Sequence, residues 1–235
     1  MSLTLWLVRH GETDSNAERT FQGHLDIHLN ERGEQQACDV GAFLSEVEFD
    51  AVYASDLQRA ARTAELIVGD RAAIILDADL REMHYGVLQG VRYAEAASAL
   101  ADHGYAESWT DGTFQRGGTT IPGGESYRRL RYRSRTFVNR LDSLFLDDST
   151  HDVLVVAHGG KLGMLMTVLL DLPMRSRSSF RFANCGITSL TRTAENTTLE
   201  KHNLVVWQDN GSPASMFPAR SDRRPDSGES HLPHS

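Results

Sequence analysis

Short apolar runs alternate with longer stretches of helical period along nearly the whole chain, and this alternation limits the fold more than any other feature. Leu3 to Val8 is an apolar run that stops at Arg9 and reads as a buried strand. Asn30 is placed to cap a helix from Glu31 to Glu46, with Ala37, Val40, Leu44 and Val47 at helical spacing. A brief strand from Ala51 to Ala54, a helix from Leu57 to Val68 and a strand from Ala73 to Leu76 follow. Ser126 to Leu146 reads as a long helix, with Leu130, Phe137, Leu141, Leu144 and Phe145 on its apolar face. Asp152 to Ala157 holds Val-Leu-Val-Val, the pattern of a strand covered on both faces. A helix from Lys161 to Leu170, stopped by Pro173, precedes two last strands at Ile187 to Thr191 and Leu199 to Trp207. Strands alternating with helices predict an α/β fold of three layers, a mostly parallel central sheet with helices on both faces. The last two strands are close in sequence and are expected to pair antiparallel.

At 235 residues the chain can bury one sizeable core. Residues 1–210 are expected to form one domain with a middle insertion at about 86–124, which holds a helix near Tyr93 to His103 and a glycine-rich segment, Gly112 to Gly124. Residues 211–235 are rich in Pro, Ser and charge and are expected to be disordered. No apolar run approaches the roughly 20 residues that cross a bilayer. The N-terminus has neither a basic leader nor a small-residue cleavage site, so a cytoplasmic protein is expected. A net charge of −8 excludes a general nucleic-acid binder but not a small anion held in a locally positive pocket. Cys38 and Cys185 form no CxxC pair and no disulfide framework. Only Lys161 and Lys201 are lysines, and the arginine bias runs along the whole chain. Arg128, Arg129, Arg131, Arg133 and Arg135 crowd one helix and read as a solvated face.

Two of the strands end in a histidine followed by glycine: Arg9-His10-Gly11-Glu12 and Ala157-His158-Gly159-Gly160. Ligands bind open α/β sheets beyond the carboxyl ends of the strands, so both histidines belong at the ligand edge. The glycines are expected to allow a sharp turn and a close approach of ligand to the backbone. Arg59 falls in the first turn of the helix after the second strand, where the macrodipole favours an anion. Glu82, in Arg81-Glu82-Met83-His84, is a candidate acid, with a salt bridge to Arg81 as the lesser alternative. Arg62 and Glu12 read as surface and supporting charges. No HExxH, CxxC or GxxxxGK[ST] appears, so neither a metal nor a nucleotide cofactor is expected. A neutral imidazole is a competent nucleophile near neutral pH, and two arginines with a protonated histidine would stabilise charge on a transferring phosphoryl group.

In order along residues 3 to 207, the chain resembles the histidine phosphatase superfamily, the phosphoglycerate mutase-like proteins. The matching pieces are Arg9-His10-Gly11-Glu12, Ser55 to Thr63, Glu82 with His84-Tyr85-Gly86, Pro122-Gly123-Gly124-Glu125-Ser126, and Ala157-His158-Gly159. The resemblance implies that His10 is a nucleophile that becomes phosphohistidine. It implies that Arg9, Arg59 and His158 hold the phosphate, and that Glu82 protonates the leaving group and then activates water. Asn16, Gln22, Gly23 and Gly159 match substrate-lining positions. The chain departs from the mutase branch at Tyr93, where that branch carries a lysine, and lacks its longer insertion with paired arginines. The short insertion and Phe21 to Asp26 resemble broad-specificity phosphatases and those acting on α-ribazole phosphate. A phosphatase is therefore expected, acting on a small phosphorylated metabolite without nucleic acid or membrane. A phosphoglycerate mutase and a non-catalytic binder of phosphorylated ligands are the alternatives. Assembly is left open, with a homodimer allowed.

Overall fold

A computed structural model of the protein describes residues 2–105, 109–110, 113–114 and 120–207. Six strands form one sheet: β1 (Ser2–Arg9), β2 (Ala51–Ala54), β3 (Ile74–Leu76), then, beyond the short hairpin β4 (Trp109–Thr110) and β5 (Thr113–Phe114), β6 (Thr150–Ala157), β7 (Ile187–Arg192) and β8 (Thr197–Leu204). Their order is β3-β2-β6-β1-β7-β8. β3, β2, β6 and β1 run parallel, while β7 and β8 add antiparallel pairs at one edge. The helices are α1 (Asp14–Ala17), α2 (Glu31–Phe43), α3 (Gln58–Val68), α4 (Ala96–Ala101), α5 (Tyr127–Phe145) and α6 (Gly159–Leu169). This is the expected α/β arrangement, a mostly parallel central sheet with helices on both faces.

The register explains where the site must lie. Arg9 pairs with Ala157 across β1 and β6, so His10 and His158 leave adjacent parallel strands at the same level. Those two strands are central, and the run from Val153 to Ala157 is wholly buried because helices cover both faces. One core cluster joins Leu3, Leu5 and Leu7 to α5 and α6, and the other joins Val8, Leu154 and Val156 to α2 and α3. The side-chain alternation of β1 thus feeds two separate cores.

The caps agree with local chemistry. Asn30 accepts from the Gly33 N–H at 2.9 Å, and Ser126 accepts from the Arg129 N–H at 3.1 Å. Several expected boundaries shift. α2 ends at Phe43 rather than Glu46, and β8 ends at Leu204. Trp207 instead folds back, its indole N–H donating to the Asn184 carbonyl at 3.0 Å. Leu144 is 53% exposed, whereas the adjacent Phe145 and Leu146 pack on the core, so Leu144 falls outside the buried stripe of α5. The middle region builds a small core of its own from Phe21, Leu88, Ala96, Leu100 and Ile121. Much of the glycine-rich segment from Gly112, and the whole tail expected from 211, lie outside the described residues. Among the described residues no helix is long and apolar enough to cross a membrane.

Lys161 is a basic side chain carried into the interior. It is fully buried on α6, and its ammonium position meets the Ser134 hydroxyl at 2.7 Å. Burial, followed by Arg133, pushes its amine well below the ordinary lysine range. Lys161→Met should therefore stabilise the fold by about 1–3 kcal/mol, since Ser134 keeps its own bond to the Leu130 carbonyl at 2.7 Å. Between the folded-state pKa and the ordinary value of 10.5, the unfolded chain binds more protons. Wild-type stability rises with pH across that window. The advantage of the variant is thus largest below the folded-state pKa and shrinks toward pH 10.5. Denaturant melts at several pH values test this; a less stable variant, or a pH-independent difference, would refute it.

Candidate active site

A cleft of about 310 Å³, counting space open to solvent, lies over the carboxyl ends of β1 and β6. Arg9, His10, Asn16, Thr20, Gln22, Gly23, Arg59, Glu82, Tyr85, Tyr93 and His158 line it. Every residue expected to carry chemistry is therefore in one place, apart from Gly159, which opens α6 behind His158 and does not line the cleft.

His10 is 3% exposed, and its Nδ1–H donates to the Gly11 carbonyl at 2.7 Å. That bond fixes the tautomer and leaves Nε2 with the lone pair. Burial first, then the guanidinium groups of Arg59 and Arg9, hold this imidazole well below the ordinary histidine range. His10 is thus unprotonated throughout the neutral region, as a nucleophile must be.

The glycine after His10 serves a purpose other than the expected turn. A Cβ on Gly11 would collide with the Gly33 carbonyl, and one on Gly33 would collide with the Glu12 backbone. The pair lets the start of α2 press against the histidine loop. At the second junction the close approach falls on Gly160, where a Cβ would stand 2.6 Å from a Glu82 carboxylate oxygen.

Arg59, in the first turn of α3, is fully buried, and its guanidinium donates to the Gly23 and Leu25 carbonyls, each at 2.7 Å. Burial pushes it down to about 10, so it remains a cation at neutral pH. Gly23 accordingly acts at the cleft by presenting its carbonyl to Arg59. Arg9 donates to the Phe182 carbonyl at 2.8 Å. His158 is fully buried, with its ring 5.1 Å from that of His10. Neither of its ring nitrogens meets a hydrogen-bond partner among the described residues. The expected proton on His158 belongs to the state with a phosphoryl group bound, and without one its surroundings oppose it. Burial, then Arg59, His10 and Arg9, push it well below the ordinary range. A dianion bound beside it would act in the opposite sense, so the proton is expected to arrive with the ligand.

Glu82 is 7% exposed and makes no ion pair with Arg81, which instead forks onto Asp56 at 2.7 and 2.6 Å. The Glu82 carboxylate accepts from the Met83 N–H at 2.8 Å and the Gly160 N–H at 2.9 Å. It is thereby tied to the first turn of α6, which follows His158 directly.

A polar network orients the remaining wall. The Asn16 Oδ1 receives donors from Asn184 Nδ2 at 3.1 Å, Thr13 N at 3.2 Å and the Thr13 hydroxyl at 3.1 Å. Its amide nitrogen is then the end left for a ligand. The Thr13 hydroxyl has spent its proton on Asn16, so it accepts from Gln22 Nε2 at 2.8 Å. The buried Gln22 Oε1 has no partner among the described residues. Tyr85 and Tyr93 close the far side against Phe21, with ring centroids 5.1 and 4.4 Å from it. Burial raises both phenols, so they stay neutral.

Sequence reasoning missed Asn184 and Thr13, which carry no motif, and Arg133, which was read as solvated. The supporting charges behave as expected. Arg62 pairs with Glu34 and Glu65 on the surface, and Glu12 holds Asn30 and Arg32. Among the described residues no group of three His, Cys, Asp or Glu side chains could hold a metal ion.

A family model described as the histidine phosphatase superfamily (branch 1) matches residues 5–205. An Erwinia tasmaniensis protein named "Probable phosphoglycerate mutase GpmB" is 38% identical over 187 residues, covering 79% of this chain and 83% of its own. The α-ribazole phosphatase from Shigella flexneri superposes with a TM-score of 0.74 at 28% identity, over 88% of this chain and 100% of the other. A mycobacterial glucosyl-3-phosphoglycerate phosphatase gives 0.71 at 30% identity, over 86% and 99%.

Proposed function

This chain belongs to the histidine phosphatase superfamily, and we propose that within it the protein is a metal-independent phosphatase of small phosphomonoesters acting through phosphohistidine. The observation that carries this reading is the buried, unprotonated His10, with its tautomer set by Gly11 and with Arg9, Arg59 and His158 around the same cleft.

In the first step the His10 Nε2 lone pair attacks phosphorus in line with the ester oxygen. The P–O bond breaks, and Glu82 gives its proton to the leaving alkoxide. Arg9, Arg59, the Asn16 amide and His158 stabilise the equatorial oxygens. In the second step water attacks phosphorus, the Glu82 carboxylate takes its proton, and the P–N bond breaks to release phosphate and the neutral imidazole.

Two observations favour release to water over return to a second hydroxyl. Tyr93 stands in the cleft at the position where the mutase branch carries a lysine. Among the described lining residues, the only arginines are Arg9 and Arg59, a number that suits one phosphoryl group better than two. The neutral aromatic wall suits an uncharged alcohol portion, as in broad-specificity or α-ribazole phosphate-type enzymes. The mutase reading keeps the support of the relatives' names.

The deciding experiment measures phosphate release from a panel of phosphomonoesters in the presence of EDTA. Alongside it, 3-phosphoglycerate is supplied with its bisphosphate. Net phosphate release is expected; 2-phosphoglycerate formed without phosphate loss would establish the mutase instead. Glu82→Gln should slow the first turnover of alkyl esters by about 10²–10⁴-fold while sparing esters of acidic phenols, whose oxygens leave without a proton. Equal losses on both ester classes would remove Glu82 from the role of acid.

A further inference from the structure

Two side chains of the arginine-rich face of α5 do not behave as surface groups: Arg131, whose Nη1 donates to the Thr167 hydroxyl and the Leu172 carbonyl, each at 3.2 Å, and Arg133. Arg133 uses its whole fork. Nε and Nη2 donate to the two oxygens of Glu125 at 2.8 and 2.9 Å. Nη1 donates to the Asp79 carbonyl at 2.7 Å and to the Arg81 carbonyl. Nη2 also donates to the Glu82 carbonyl at 2.8 Å. The side chains of Arg133 and Glu125 are only 12% and 7% exposed. Three backbone carbonyls of the segment carrying Glu82 thus converge on one guanidinium. Glu125 holds the same segment from the other side, its N–H donating to the His84 carbonyl at 2.8 Å. The Glu82 carbonyl receives a second donor, His24 Nε2, at 2.8 Å. Beneath the segment, Met83 packs on Leu130 and Met164.

We propose that Arg133, neutralised by Glu125, is a positioning residue for Glu82: it fixes the backbone from which the proton donor reaches the cleft. The proposal rests on the reading of Glu82 as that donor. Only an arginine satisfies this geometry. A planar fork with five N–H groups meets one carboxylate bidentately and three carbonyls at once, whereas a lysine has three donors on one point. The buried charge is matched by Glu125, so the clamp does not place an unpaired cation in the core. Arg133 does not line the cleft, so any kinetic effect must pass through the residues that it holds.

The test compares first-turnover rates of alcohol release from a primary alkyl phosphate and from p-nitrophenyl phosphate. The proteins are wild type, Arg133→Met, Arg133→Lys, Glu82→Gln and the Arg133→Met/Glu82→Gln double variant. Arg133→Met should lose about 30-fold or more on the alkyl ester and less than about 3-fold on the aryl ester, with KM little changed. Arg133→Lys should fall between it and wild type. In the Glu82→Gln background the Arg133 change should cost less than about 2-fold on the alkyl ester, since the group it positions is gone. Equal losses on both esters, or losses that multiply in the double variant, would make Arg133 a general structural support and overturn the proposal. If Glu82→Gln itself treats the two esters alike, the assignment of Glu82 fails and the positioning role falls with it. That outcome is distinct from a normal Glu82→Gln loss with an ester-independent Arg133 effect. If Arg133→Met does not fold by circular dichroism, Arg133→Lys carries the same comparison.

Discussion

His10→Ala is expected to bind phosphomonoesters and to turn them over at least about 10⁴-fold more slowly than wild type. The size follows from the absence of a substitute. The nearest imidazole, His158, sits 5.1 Å away ring to ring and at 59° to His10, so it does not present a nitrogen along the same line of attack. Loss of the nucleophile also closes the two-step route altogether, rather than weakening one contact. The check has two readouts. Phosphate release is followed in EDTA, and the protein is quenched in alkali to preserve an N–P bond after exposure to labelled ester. Wild type should carry label, and His10→Ala should carry none. Label retained on His10→Ala, or activity within about 10-fold of wild type, would refute the assignment. Because burial and the two arginines depress His10, activity should not fall as pH drops through the ordinary histidine range.

Arg59→Met should lower kcat/KM by about 10²–10³-fold, the usual consequence of removing one preorganised donor from a phosphoryl or oxyanion site. Arg59 does more than face the ligand. Its two bonds to the Gly23 and Leu25 carbonyls tie the Gln22-Gly23 loop to the start of α3. The variant strands those carbonyls, at a cost of about 1–3 kcal/mol each where water does not replace the donor. A fall in Tm should therefore accompany the kinetic loss. Removing a buried, desolvated cation offsets part of that cost. Affinity for inorganic phosphate separates the two effects: it should drop with kcat/KM, whereas a purely structural role would lower Tm and leave phosphate affinity near wild type.

The parts of the fold that could be read from sequence are those with local periodicity. The runs at β1 and β6 and the cap at Asn30 depend on neighbours within a few residues. Local pattern failed where tertiary packing decided the outcome, as at Leu144, which is exposed while the adjacent Phe145 packs on the core, and at Trp207, which turns back to Asn184. The cleft residues were legible because strand ends deliver them. Asn184 was not, since its contacts to the His10 and Gly11 carbonyls at 3.0 and 3.1 Å span more than 170 positions. Arg133 was misassigned for a related reason. Spacing shows that five arginines share a helix, but not that one of them turns toward a loop 51 positions earlier.

By itself, then, the sequence determined the alternation that yields the sheet and the two His-Gly junctions that must stand at its ligand edge. Those follow from burial periodicity and from the direction of parallel strands, both local properties of the chain. Tertiary structure alone decided the chemistry of the groups brought there. It set the tautomer of His10, the neutral state of His158, the freedom of Glu82 from Arg81, and the reach of Arg133. Each depends on which charges and carbonyls lie within a few ångströms in a low-dielectric interior, and sequence distance carries no information about that.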